Sequence, residues 1–258
     1  MKKKPLILIS NDDGITSKGI RTLTEIMAEL GEVVVVAPDS PQSGMGHAIT
    51  VNNMLRLDKS DVFEDIGVEA YECSGTPADC VKLAKHHVLK DRKPDLVVSG
   101  VNHGSNSSVS VLYSGTMSAA IEAAIEGLPA IGFSLCDYAH NADFSHIRHY
   151  IKKITIEAIE KGIPANVALN VNFPSIIHGD IQGIKICRQA KARWQENFEE
   201  RKDPYGRVYY WLVGDFINED SGIDTDVWAL DNGFISIVPC RYDMTAYESF
   251  PAIAQWDI

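Results

Sequence analysis

Four apolar runs without alternation constrain this chain most. LILIS (6–10), EVVVVAP (32–38), PDLVVSG (94–100) and LPAIGFSL (128–135) put apolar side chains on both faces of any strand they form. Such strands belong to a parallel sheet covered on both sides. Helical patterns separate them. In SKGIRTLTEIMAELG (17–31), Ile20, Leu23, Met27 and Leu30 fall on one stripe and Gly31 is a stop signal. TPADCVKLAKHHVL (76–89) opens with Thr76 as N-cap, Pro77 at the first helical position and Asp79 three residues after the cap. SGTMSAAIEAAIEG (114–127) reads as a helix with a small-residue face. The order of elements predicts an α/β fold with a Rossmann-like, doubly wound, mostly parallel sheet.

Residues 49–57 and 66–73 read as further strands, HIRHYIKKITIEAIEKG as an amphipathic helix, and VALNVNF and IQGIKIC as strands. Two extended segments rich in charge and aromatics flank Asp203-Pro204-Tyr205-Gly206, which fits a type I turn and predicts a long β-hairpin. This arm, about residues 190–216, cannot bury both faces alone and is expected to lie against another subunit. The 258 residues read as one domain, with 1–142 carrying the site and 143–258 forming a C-terminal oligomerisation part.

The net charge of −11 disfavours nucleic-acid polymers and anionic membranes as partners. A small anion remains possible where backbone amides and a metal ion reverse the local potential. The five cysteines, at 73, 80, 136, 187 and 240, form no CxxC pair and read as reduced thiols. Three N-terminal lysines precede only a short apolar run, so neither a signal peptide nor a membrane span is expected, and the expected location is the cytoplasm.

In an open α/β sheet the ligand binds outside the carboxyl ends of the strands. Three polar loops leave such ends: Ser10-Asn11-Asp12-Asp13-Gly14, the 38–47 loop with Ser43, Gly44 and His47, and 100–106 with Asn102 and His103, leading to Tyr113-Ser114-Gly115-Thr116. NDDG alone is equally a plain turn. On strand one, though, two adjacent carboxylates repel unless a divalent cation lies between them. The Ser43 hydroxyl and the Asn102 amide are available hard co-ligands, pointing to Mg²⁺, Mn²⁺ or Ca²⁺ rather than zinc. Ser114-Gly115-Thr116 at a helix start is either a capped helix alone or an anion site built from exposed amides. Together, metal loop and helix start would hold a phosphate, with Asn11, Gly44 and Asn102 bordering it. GxxxxGK[ST], GxGxxG after strand one and GxSxG are absent, which removes the usual NTPase, dinucleotide and serine-hydrolase readings. His47 and His103 read either as proton carriers near the site or as structural histidines. Trp194, Phe198, Tyr209, Tyr210 and Trp211 read as subunit packing or base stacking.

NDDGI followed by SKGI, then VVAPDxxxSxxGHAIT, GTPADCVKLA, DLVVSGVNHGSN, YSGTMSAAIEA and EERKDPYGRVYYWLVGD, together resemble the SurE (stationary-phase survival protein) family over nearly the whole chain. The resemblance implies a metal-dependent phosphatase acting on nucleoside 5′- and 3′-monophosphates, with short-chain polyphosphate as a side substrate. It implies one Mg²⁺ or Mn²⁺ per subunit held by Asp12, Asp13, Ser43 and Asn102, and a C-terminal region exchanged between subunits in a homodimer or homotetramer. Two departures stand out. Ser108 and Ser110 replace a glycine and an acid before YSGT, and Arg241 replaces a histidine near the C-terminus. The expected chemistry is attack by metal-activated water with Asp12 taking or orienting the proton. An aspartyl-phosphate route, a non-hydrolytic nucleotide sensor and a metal-dependent transferase are the alternatives.

Overall fold

The computed structural model describes residues 4–139, 141–175 and 179–257. The apolar runs form the centre of a nine-stranded sheet among those residues. In chain order the strands are β1 (Leu6–Ser10), β2 (Glu32–Pro38), β3 (Leu57–Ser60), β4 (Glu69–Cys73), β5 (Leu96–His103), β6 (Ala130–Leu135), β7 (Ala168–Phe173), β8 (Gly183–Ile186), β9 (Ala192–Lys202), β10 (Val208–Asn218) and β11 (Phe234–Cys240). The sheet order is β3-β4-β2-β1-β5-β6-β7-β11-β8, while β9 and β10 pair apart as the hairpin arm. From β4 to β7 all neighbours run parallel.

The unalternated sequence of β1 is explained by its two covered faces. Ile7 and Ile9 pack in one core with α1 (Lys18–Ala28) and α4 (Arg148–Lys161). Leu6 and Leu8 pack in the other with α2 (Pro77–Leu83) and α3 (Gly115–Ile125). The capping box predicted at Thr76 is present: Thr76 Oγ1 accepts from the Asp79 amide at 3.2 Å, and Asp79 Oδ2 accepts from the Thr76 amide at 3.0 Å. Such a cap stabilises its helix by about 1 kcal/mol. The chain moves from β1 to β2 on one side and returns to β5 on the other, so the switch point lies between β1 and β5.

Three expectations change. Residues 49–56 are not a strand, and Val51 and Met54 are exposed. Their backbone is held by side chains instead: Thr76 Oγ1 donates to the Ala48 carbonyl, Asp79 accepts from the Thr50 amide and Ser74 Oγ from the Arg56 amide. The strand expected over 66–73 is shortened to β4 because Glu64–Ile66 is a 3₁₀ turn closed by left-handed Gly67. Finally, β11 and α5 (Asp226–Asp231) are elements the sequence pattern did not announce. Antiparallel β11 inserts between β7 and β8. The hairpin is as expected: the Gly206 amide donates to the Asp203 carbonyl at 2.9 Å, and Gly206 has φ +79°.

Candidate active site

The loops after β1, β2 and β5 converge at the switch point. Asn11 shapes the first: its Nδ2 donates to the Gly14 carbonyl and to Ser17 Oγ, both at 2.9 Å, closing NDDG into a turn at the start of α1. Asn11 is 1% exposed, and its amide nitrogen is spent within this turn. It braces the turn that carries the two carboxylates. The second loop is tied to the first through the Gln42 amide, which donates to the Asp12 carbonyl at 2.7 Å. That bond brings Ser43 and Gly44, both exposed and without a side-chain hydrogen bond among the described residues, beside the aspartates. In the third, the β5–β6 register shifts between Ser99 and Asn102. Such an irregularity re-aims a side chain at a strand end. The Asn102 amide nitrogen donates to the Gly104 carbonyl at 2.9 Å, leaving its oxygen for another partner. Gly19 on α1 permits this arrangement, since a Cβ there would lie 2.0 Å from the Val101 carbonyl oxygen.

Helix α3 completes the corner. Ser114 Oγ caps it by accepting from the Met117 amide at 3.0 Å. Thr116 Oγ1 donates to Asp12 Oδ1 at 2.5 Å, and the Thr116 amide also serves the Asp12 carboxylate. Gly115 allows the contact, because a Cβ there would lie 2.5 Å from Asp12 Cβ. The anion held at this helix start is therefore Asp12 itself. Thr116 is fully buried and its hydroxyl is used on Asp12, so among the described residues the amides of Ser114 and Gly115 are the donors left for the expected anion site.

Asp12 is 4% exposed. Burial pushes its carboxyl up to about 6, the Thr116 bonds pull against that, and Asp13 pushes the same way as burial. Asp13 is half-buried and also raised by desolvation, against which the nearby His103 charge and amide act. Two desolvated carboxylates side by side are an unfavourable arrangement unless a cation compensates them. Asn11 Oδ1 and Ser10 Oγ at the end of β1, and Ser99 Oγ within neighbouring β5, are buried without a hydrogen-bond partner among the described residues. The donor set of Asp12, Asp13, Ser43 and Asn102 is all oxygen and fits a hard divalent ion. Among the described residues no three of His, Cys, Asp and Glu gather as a metal cluster, so a cation here would draw half its protein donors from neutral oxygens.

Two of the three sequence departures, Ser108 and Ser110, lie elsewhere. Ser108, at φ +51° and 1% exposed, donates its hydroxyl to the Ala190 carbonyl at 2.9 Å, and its amide donates to Asp226 Oδ2 at 2.7 Å. Ser110 Oγ accepts from Trp194 Nε1 at 3.3 Å. Both fasten the root of the β9–β10 arm rather than facing Asp12 and Asp13. Arg241 lines a groove of about 1130 Å³ that also touches His47 and Ser114. His86 and His87 are exposed.

Comparison with known proteins agrees with this arrangement. Residues 7–196 match the family model described as survival protein SurE. A 5′-nucleotidase SurE from Cytophaga hutchinsonii is 71% identical over 245 residues, covering 95% of this chain and 94% of that protein. One from Flavobacterium psychrophilum is 62% identical, covering 99% and 98%. The crystal structure of the SurE protein from Aquifex aeolicus superposes with a TM-score of 0.82 at 39% identity, covering 96% of this chain and 98% of that one. With the family motif matched across most of its length and the fold shared end to end, the chain belongs to the SurE family.

Proposed function

We infer that this chain is a divalent-metal-dependent phosphatase that hydrolyses nucleoside 5′-monophosphates, and 3′-monophosphates as well, to nucleoside and phosphate. The observation that carries this reading is the Asp12–Asp13 pair, desolvated at the β1/β5 switch point against the start of α3. The relatives named 5′-nucleotidase supply the substrate class.

Asp12, Asp13, Ser43 and Asn102 would hold one Mg²⁺ or Mn²⁺ per subunit, with Ca²⁺ able to occupy the same oxygens. Such an ion supplies Lewis-acid stabilisation of phosphate charge and acidifies a water. The remaining work falls to the chain. Thr116 fixes the Asp12 carboxylate by hydroxyl and amide, so its orientation is set before substrate arrives. Buried beside Asp13 and fixed by Thr116, Asp12 is the carboxylate we assign to orienting the attacking water or accepting its proton. The Ser114 and Gly115 amides at the positive end of α3 would orient phosphoryl oxygens, and Gly44 leaves the loop open to them.

The arm supports a homo-oligomer, dimer or tetramer. Phe198, Tyr210, Trp211 and Leu212 are each more than half exposed on a two-stranded ribbon, which is marginal alone in water. Light scattering should give a mass at least twice that of the chain, and a monomer would refute this part. Among the described residues no helix is long and apolar enough to cross a membrane, and we assign the protein to the cytoplasm. The activity is tested by phosphate release from AMP and GMP with Mn²⁺. Release abolished by EDTA and restored by Mn²⁺ is expected, whereas release that persists in EDTA would overturn the assignment.

A further inference from the structure

Glu122, 2% exposed, is a buried carboxylate in α3 flanked by the buried Ala119, Ala120, Ala123 and Ala124, and the chemistry above does not use it. Its two oxygens are divided between two other elements. Oε2 pairs with His47 Nε2 at 2.8 Å and Oε1 with Lys82 Nζ of α2 at 2.6 Å. It lies about two helical turns, roughly 10 Å, beyond the start of α3, too far to touch a phosphate bound there. His47, in contrast, ends the loop that carries Ser43. That loop is mostly exposed, contains Gly44 at φ +74° and Gly46 at φ +56°, and is short of anchors. Its backbone ties are the Asp39 amide to the Cys73 carbonyl at its start, the Gln42 amide to the Asp12 carbonyl and the Gly46 amide to the Tyr113 carbonyl. Among the described residues, His47 makes the loop's one side-chain hydrogen bond outside residues 39–47.

We propose that Glu122 is a positioning residue: with Lys82 balancing its charge, it clamps His47 and thereby holds the Ser43 loop in place to complete the metal site beside Asp12 and Asp13. A loop with two glycines loses considerable conformational freedom when it closes on a ligand. A charge-assisted bond from a rigid helix removes part of that cost before the ion binds. Lys82 is partly exposed and lies 3.8 Å from Glu126, so it keeps both water and a second partner when Glu122 is altered. The inference rests on the metal-site reading.

The test is calorimetric Mn²⁺ binding to the whole chain, with melting temperatures measured metal-free. His47→Ala and Glu122→Ala should each weaken Mn²⁺ about tenfold or more, the usual size for a residue supporting a metal ligand. The double variant should be no weaker than either single, because both break one contact. His47→Gln, which keeps a donor toward Glu122, should recover most of the affinity, and the metal-free His47→Ala protein should melt close to wild type. Wild-type Mn²⁺ affinity in His47→Ala, with binding lost in Asp12→Asn, overturns the clamp and leaves the metal site standing. Equal binding by wild type and Asp12→Asn overturns the metal site and the clamp with it.

Discussion

Two buried aspartates divide this molecule into a part that is finished and a part that is not. Asp226, at the root of the β9–β10 arm, is 1% exposed and accepts from three backbone amides: Ser108 at 2.7 Å, Val227 at 2.8 Å and Ala190 at 2.9 Å. Asp12 is nearly as buried, yet it faces a second carboxylate and has the Thr116 hydroxyl and amide as its main support from outside its own turn. Burial raises both groups. The difference lies in how each is compensated. A buried carboxylate saturated by amides is a structural joint, and an undersupplied pair at a strand end is a place for a cation.

The largest expected effect separates the two residues. Asp12→Asn should lower phosphate release from AMP by about a thousandfold, since it removes the carboxylate proposed as metal ligand and proton acceptor. The same change relieves the repulsion with Asp13, so the metal-free melting temperature should stay level or rise. Asp226→Ala should do the reverse. It strands three buried amides at about 1 kcal/mol or more each, so melting should drop by several degrees while activity per folded molecule is largely kept. A thousandfold loss in Asp226→Ala with unchanged melting would break the comparison.

Smaller effects sharpen it. Glu122 is pushed up by burial, but its bonds to His47 and Lys82 outweigh that and leave it below the usual carboxylate range. A folded-state value below the unfolded one gives stability that is complete above about pH 4.5 and lost as pH falls through the folded value. His47 from the loop, Lys82 from α2 and Glu126 just past α3 are the ionisable groups around it. Urea unfolding of wild type and Glu122→Gln should therefore differ most near neutral pH and converge in acid. A gap that widens in acid would contradict the pairing. The smallest effect is expected at Ser110→Ala, which removes one 3.3 Å bond from Trp194 and should leave turnover within about twofold, as it faces the arm and not the carboxylates.

The central strands were readable because a stretch covered on both faces is apolar without alternation, as Leu6 to Ile9, Val33 to Ala37 and Leu96 to Val98 are. The capping box at Thr76 and the turn at Gly206 were readable because each is closed by residues three apart. β11 was not, since its pairing with β7 joins residues more than sixty apart and Ser236 and Pro239 interrupt its apolar pattern. Residues 49–57 misled because their spaced apolar side chains imitate a strand, whereas Val51 and Met54 project into solvent. Of the site, Asp12 and Asp13 were visible as a crowded pair. The bracing by Asn11 and the use of Thr116 on Asp12 were not, because they depend on atoms that only the folded chain brings together. Glu122 left a faint signal, an acid set within the small-residue face of SAAIEAAIEG, but its partner His47 lies 75 residues away.

The most direct test of the contrast is anomalous diffraction from crystals grown with Mn²⁺. The account predicts a peak about 2.0–2.3 Å from oxygens of Asp12 and Asp13 and none at Asp226. A map with no peak beside the Asp12–Asp13 pair, or with the ion at Asp226, would contradict it.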